Sequence, residues 1–212
     1  ESLGNIRGGD RLEQVTTSSL EALRLYTEAV RAHSTGRSED AVTLLRQAVG
    51  VDSTFAMAWR KLAVVLPQAG NFGAAEASDA AKRAYQYRDR LPAVERGLTE
   101  AYYHNIVTGD QEKTEAAYRA VLAVNPDEPT SLNNLGLMLT VQGKAAEAEP
   151  LLLQGYEGMK ARQKAIPPLS AYRVTEALER LVPLYEGWGK PDQAAKWLAE
   201  LKAEKERPTK SP

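Results

Sequence analysis

The sequence predicts an all-α fold in which about five antiparallel helix pairs stack into a solenoid. The first observation is a ladder of five glycines, spaced 34, 39, 34 and 46 residues apart, each ending the first helix of a pair. The second is a small residue five positions after each glycine, where two helices would cross closely. The third is that no segment shows sustained period-two alternation, the pattern typical of strands. The glycines are Gly36, Gly70, Gly109, Gly143 and Gly189, and the small residues are Ala41, Ala75, Thr114, Ala148 and Ala194.

Each predicted pair consists of a first helix, a glycine turn and a second helix. Glycine suits the turn because a left-handed backbone is strained in residues that carry a Cβ. Apolar residues recur at helical spacing, as Val42, Leu45 and Val49 do, so each helix should bury one stripe. The array is expected over residues 17–206. Its repeats are predicted at 22–55, 56–94, 95–128, 129–174 and 175–206, with 1–16 as a linker or remnant of a preceding domain and 207–212 as a tail.

Several residues are expected to start, kink or end individual helices. Ser18 followed by Glu21 has the spacing of a capping box and predicts the start of the first helix. Pro67 and Pro183 lie inside predicted first helices, which they should kink or shorten. In the long fourth repeat, the consecutive prolines at 167–168 predict a loop that follows an extended second helix.

Composition excludes several classes of function. Lys and Arg number 27 against 28 Asp and Glu, and a net charge of -1 gives no broad attraction for nucleic acids or anionic membranes. Without cysteine the chain forms no disulfide, Cys-ligated zinc site or thiol nucleophile. His33 and His104 are the only imidazoles, too few for most metal and acid–base chemistry. No window approaches 18 consecutive apolar residues, so we expect no membrane insertion, and we expect no cofactor and no metal.

Three stretches repeat one pattern of large and small residues. The pattern resembles the tetratricopeptide repeat, and the resemblance covers about residues 17–206. It implies a right-handed superhelix whose first helices line an inner groove that holds peptides. The matching residues are Trp59, Leu62, Ala63, Leu66 and Ala75; Leu132, Leu135, Gly136, Leu139, Gly143 and Ala148; and Leu178, Leu181, Val182, Tyr185, Gly189 and Ala194.

Residues 12–23, 94–137 and 181–191 resemble tetratricopeptide arrays at the C-terminal end of large bacterial serine/threonine protein kinases. Similar arrays accompany bacterial winged-helix regulators and TolB-like segments. The resemblance implies that the chain, which begins at Glu1 without Met, is a C-terminal fragment of a signalling kinase. It leaves open whether that parent places the fragment in the cytoplasm or outside a membrane. The glycine-rich loop, His-Arg-Asp and Asp-Phe-Gly motifs of a kinase are missing from the sequence, so this fragment is not expected to be an enzyme.

Placing the sequence on the repeat predicts a groove of mixed polar and apolar residues along the first helices. Such a groove is suited to capture an extended or helical peptide, and we expect a protein or peptide partner. The alternative for any single residue is that it only solvates a concave surface. The predicted groove residues are Tyr26, Val30, His33, Arg60, Val64, Gln68, Tyr103, Val107, Asn133, Leu137, Thr140 and Glu179.

Two other interpretations concern His104 and the terminal helix. His104 beside Tyr102 and Tyr103 could suggest a catalytic or metal cluster, but a packed aromatic pair with a surface histidine is the simpler expectation. The array could instead associate with itself, as a homo-oligomer, through exposed Leu198 and Leu201 on its terminal helix.

Overall fold

In a computed structural model of the chain, residues 17–70, 73–162 and 172–206 are described, and no strand occurs among them. The chain divides into two units, Glu1–Asp110 and Gln111–Pro212. This division falls within the third predicted repeat, and the repeat boundaries stay predictions. The first unit contains α1 (Leu20–Ser34), α2 (Ser38–Val51), α3 (Ala56–Val65), α4 (Ala74–Gln86) and α5 (Ala93–Tyr103); the second contains α6 (Gln111–Val124), α7 (Pro129–Val141), α8 (Ala145–Arg162), α9 (Tyr172–Gly187) and α10 (Pro191–Lys205).

Stacked helix pairs build each unit. In the first unit α1 packs on α2, α3 packs on α4, and the two pairs meet where α2 contacts α3. In the second unit α7 packs on α8, α9 packs on α10, and α8 contacts α9. The first helices are α1, α3 and α5 in one unit and α7 and α9 in the other. The predicted all-α fold of stacked helix pairs is confirmed for the described residues.

All five glycines of the predicted ladder have positive φ angles, between 68° and 87°. No other described residue has a positive φ. At the first turn, the N–H of Gly36 donates to the carbonyl of His33 and that of Arg37 donates to Ala32, which closes the end of α1. The left-handed turn is therefore the feature that the repeats share most strictly.

The small residues predicted at the helix crossings are buried in four of the five pairs. Ala41, Thr114 and Ala148 are fully enclosed and Ala194 is nearly so. The prediction is wrong for Ala75, which is exposed. Because α4 begins at Ala74, four residues after its glycine, whereas α2 begins two residues after Gly36, the buried small residue shifts by two positions to Ala77.

Helix ends differ from the prediction in two places. The N-cap of α1 is Ser19 and not Ser18: Ser19 is extended and its hydroxyl accepts a hydrogen bond from the Ala22 N–H at 3.1 Å.

Pro67 shortens α3 as expected, because the chain tightens into a 3₁₀ turn at Leu66–Gln68. Pro183 does not end α9, which continues to Gly187. Pro183 is exposed, and its missing N–H removes one hydrogen bond of the helix without ending it.

The cores are mostly aliphatic, with a few aromatic residues, and closely packed. In the first unit Phe55 and Leu45 are fully buried, and in the second unit Leu135, Leu152 and Leu181 are. At Gly136 the contact between α7 and α8 leaves no room for a side chain, since an added Cβ would lie 2.6 Å from Leu152. The predicted extension of α8 is observed as far as Arg162, and the proline loop lies outside the described residues.

Candidate functional site

A polar network joins α1 to α3 in the first unit. The Lys61 ammonium lies 3.1 Å from Nδ1 of His33, and Nε2 of His33 lies 3.0 Å from the side-chain oxygen of Gln68. Since an ammonium can only donate, Nδ1 must accept, and Nε2–H therefore donates to Gln68. The Gln68 amide donates in turn to the Val64 carbonyl. The structure thus brings together three of the predicted groove residues, His33, Val64 and Gln68.

The other predicted residues of α1 and α3 have separate environments. The ring of Tyr26 packs against Phe55 with their centroids 5.2 Å apart, so it is partly covered by the core. Val30 is 37% exposed. Arg60 forms an ion pair with Glu95, in which both side chains are largely buried, and thereby ties α3 to α5. Arg60 thus has a structural role in addition to its place on the first-helix face.

Tyr103 and Val107 are not part of the network. The Tyr103 ring stacks on Tyr85 of α4 with centroids 3.9 Å apart, and the Arg88 guanidinium lies 4.0 Å from the centre of the Tyr85 ring. His104 contacts both tyrosine rings through its edge. The expected pair was Tyr102 with Tyr103, but Tyr103 stacks on Tyr85 instead, and the Tyr102 hydroxyl donates to the carbonyl of Ala63 at 2.8 Å. Val107 packs against the core of the first unit.

The prediction that Asn133 lines an open groove is wrong. Only 4% of Asn133 is exposed, and its amide donates to the carbonyl of Pro129 at 2.9 Å. Its side-chain oxygen points at Gly155 of α8, 3.1 Å from the place where a Cβ would stand. Packing between α7 and α8 therefore turns this position inward, which the repeat pattern alone did not indicate.

The remaining predicted residues of the second unit lie at the surface in different settings. Leu137 is 40% exposed. The Thr140 hydroxyl donates to the carbonyl of Gly136 at 2.8 Å, a hydrogen bond within α7. Glu179 forms an ion pair with Lys205 at 2.8 Å and joins α9 to α10. Of these three, only Leu137 presents an exposed apolar side chain.

Sequence reasoning missed a stripe on α7. Residues 130, 134, 137 and 141 are spaced so that they share one face of the helix. Asn134 on this stripe donates its amide to the phenol oxygen of Tyr118 at 3.0 Å, and burial raises the pKa of Tyr118, so that the phenol stays neutral. Val141 is 81% exposed. The signal was present in the sequence, because the whole of α7 lacks ionisable residues.

The described residues show neither a metal centre nor a membrane anchor. Nowhere in residues 17–70, 73–162 and 172–206 do three or more His, Asp or Glu side chains converge as metal ligands. In the same part of the chain, every helix is too short or too polar to span a bilayer.

Stacked helix pairs with left-handed glycine turns define the class of helical repeat scaffolds. The family model of the tetratricopeptide repeat matches residues 26–89 and 110–164, which is more than half of the sequence. The chain therefore belongs to the tetratricopeptide repeat family. Proteins of this family mediate protein–protein interactions, and the fold is generally non-catalytic.

Solved structures share the fold at low sequence identity. TTC0263 of Thermus thermophilus, a thermophilic tetratricopeptide repeat protein, is 18% identical, with a TM-score of 0.60 over 86% of this chain and 91% of its own. The type IV pilus biogenesis factor PilW is 14% identical, with a TM-score of 0.55 over 88% and 94%. Tetratricopeptide-like repeats of a putative kinesin light chain from Podosopora anserina are 18% identical, with a TM-score of 0.55 over 89% and 96%. No curated protein matches the sequence.

Proposed function

We propose that the chain is a non-catalytic module that binds a polypeptide partner on the exposed faces of its first helices. One observation carries this proposal. The residue six positions before each left-handed glycine is apolar in all five cases, and none of the five is buried. These residues are Val30, Val64, Tyr103, Leu137 and Pro183.

The repeated position favours binding over plain solvation. Single exposed apolar residues are common on protein surfaces, but apolar residues at one repeated structural position present a periodic surface. A partner that covers a valine or leucine gains about 1.5–3 kcal/mol for a side chain that becomes fully buried. Because the helices are already formed, little conformational entropy is lost on binding.

The test compares two double variants of the full chain. Val30→Asp with Leu137→Asp changes the first-helix faces of both units, whereas Val51→Asp with Val124→Asp changes exposed valines at the ends of the second helices α2 and α6. Partner capture is measured by crosslinking and mass spectrometry, with circular dichroism to verify the fold. We expect capture to be lost only in the first variant. Equal capture by both would contradict the proposal.

We also propose that the module belongs to a bacterial serine/threonine kinase and recruits its substrates or regulators. The resemblance of residues 12–23, 94–137 and 181–191 to arrays in such kinases supports this context. Sequencing the gene upstream of Glu1 tests it. A kinase domain with its His-Arg-Asp motif is expected there, and a winged-helix domain would contradict the proposal.

Self-association is a second candidate function. Leu198 on α10 is 39% exposed and borders a cavity of about 430 Å³ with Glu186, Pro191 and Ala195. Leu201, expected beside it, is buried and contributes to the core instead. Light scattering should then detect a dimer that Leu198→Lys dissociates, whereas a strict monomer at high concentration would remove this candidate.

A further inference from the structure

A cavity of about 380 Å³ opens between the second helices α2 and α4 of the first unit. We propose that it binds a small apolar carboxylic acid, in which one ring-sized hydrophobic group carries one carboxylate. The volume is within the range of about 300–1,000 Å³ that is usual for small-molecule sites. None of the five repeated apolar residues of the proposed function lines this cavity, so the inference goes beyond that function.

The base of the cavity is apolar. Val49 of α2, Leu62 of α3 and Ala80 of α4 are buried there. The half-buried Trp59 adds an aromatic ring to the lining. Its indole N–H donates to the carbonyl of Ser53 at 2.8 Å, which holds the ring in place. A ring of the ligand therefore meets an aromatic partner that is already positioned, and contacts between two such rings are favourable.

Gly50 leaves the cavity open on the side of α2. It lies in the last turn of that helix with a negative φ, so the backbone conformation does not require glycine. An added Cβ would meet nothing within 4 Å, so close packing does not require glycine either. Within a helix, glycine is less favourable than alanine. Gly50 therefore weakens α2 with no structural return, and the space that it leaves belongs to the cavity.

The cavity is short, which favours a compact ligand. Arg46 of α2 and Glu76 of α4 form a bidentate ion pair across it, with distances of 2.8 and 2.7 Å, and this pair bounds one end. Along α4 the lining extends from Glu76 to Arg83, and seven residues of a helix span about 10 Å. A ring with a short acidic chain fits this length. A polypeptide that continued along α2 and α4 would meet the ion pair.

Charge at the rim selects an acid. Four charged side chains line the cavity, and two of them form the ion pair that bounds it. Asp79 is paired at 2.9 Å with Lys82, which is not part of the lining. Arg83 is exposed and is in no ion pair with any described residue; its guanidinium lies 3.4 Å from the side-chain oxygen of Gln86. Counting Lys82, the rim has one excess positive charge, and a carboxylate placed at Arg83 gains a charge-assisted hydrogen bond.

The experiment titrates 3-phenylpropionate into the full chain and measures binding by calorimetry. In a second form of the chain, Trp188→Phe and Trp197→Phe leave Trp59 as the only tryptophan, so its fluorescence reports the same site. We expect saturable binding in both measurements. The uncharged 3-phenylpropionamide and the cationic 3-phenylpropylamine should bind at least about tenfold more weakly. No saturable binding of the acid, or equal binding of the amide, would overturn the inference.

Arg83→Gln tests the position of the carboxylate. It should weaken binding of 3-phenylpropionate about tenfold, which corresponds to about 1.4 kcal/mol, and leave binding of the amide unchanged. Arg96→Gln is the matched control, because Arg96 is an exposed arginine of α5 that does not line the cavity. An equal loss in both variants would show that overall charge attracts the acid, and it would overturn the inference.

Gly50→Leu separates binding from stability. Leucine is a better helix former than glycine, so the melting temperature should rise, whereas binding of 3-phenylpropionate should be lost because the side chain fills the cavity. Unchanged binding would overturn the inference. The peptide acetyl-Gly-Phe-Glu-Gly-amide would identify a polypeptide occupant, and so overturn it too, by binding more tightly than the free acid and losing affinity in Gly50→Leu. If the acid does not bind while Val30→Asp with Leu137→Asp still abolishes partner capture, the inference fails and the proposed function stands.

Discussion

At the scale of single residues, two glycines of the second unit are required for different reasons. Gly143 has a φ of 74°, a conformation in which a Cβ meets the following carbonyl. Gly136 lies inside α7, where an added Cβ would overlap Leu152 of α8. The first requirement was predicted from the glycine ladder. The second depends on how closely the two helices approach, which only their packing determines.

Gly136→Ala should lower the free energy of unfolding by about 1–3 kcal/mol, because Leu152 must move to make room for the methyl group. Gly187→Ala is the matched control, since a Cβ at that position meets nothing within 4 Å. Urea denaturation measures both variants. Equal stability of the two would show that α7 and α8 can separate without cost.

Gly143→Ala should cost about 1–2 kcal/mol through backbone strain alone, as there is open space around its Cβ position. Asn tolerates the left-handed conformation better than Ala, so Gly143→Asn should recover part of the loss. Thermal melts of the two variants test this order. Asn at or below the stability of Ala would contradict the explanation.

At the scale of helices, crossings depend on small buried residues. Ala41 and Ala148 are fully buried where the two helices of a pair meet, and the pattern of the sequence predicted both positions. The same pattern failed at Ala75, because α4 starts two residues later relative to its glycine than α2 does. Turn length is thus what a fixed spacing could not predict.

Ala41→Leu and Ala148→Leu should each lower the free energy of unfolding by about 1–3 kcal/mol through overpacking. Ala75→Leu, at the corresponding sequence position but exposed, should change stability little. Urea denaturation of the three variants distinguishes the positions. A loss at Ala75 as large as the loss at Ala41 would mean that the crossing lies at Ala75 after all.

Helix contacts in the second unit also depend on pH. Burial, together with the hydrogen bond to Glu149 of α8, raises the pKa of Tyr185 to about 12 from 10. Because the folded state holds this proton more tightly, the associated stability is complete below pH 10 and is lost as pH rises through 12. Tyr185→Phe should flatten the decline of stability in that interval. A decline as steep as that of the wild type would contradict this origin.

At the scale of the whole molecule, two units contain separate sets of core residues. Ala41 and Phe55 belong to the first unit, and Ala148 and Leu152 to the second. In helical repeats the free energy of unfolding is approximately a sum of local terms. A destabilising substitution should therefore affect mainly the helices that surround it. Each unit should therefore respond to its own core variant.

Hydrogen exchange can test this separation. Ala41→Leu should raise amide exchange in α1 and α2 with little change in α7 and α8, and Gly136→Ala should do the reverse. Peptide-resolved mass spectrometry provides the measurement. Increased exchange throughout the chain in both variants would instead show that the two units unfold together.

The sequence by itself determined the all-α repeat class, the five left-handed turns and most of the helix crossings. These features depend on local rules, since only glycine adopts the left-handed turn cheaply and only small residues fit a close crossing. The tertiary structure decided which side of each helix faces outward: it buried Asn133, stacked Tyr103 on Tyr85 and exposed Val141. The rotation of a helix about its axis follows from the side chains packed against it, and those neighbours are distant in sequence.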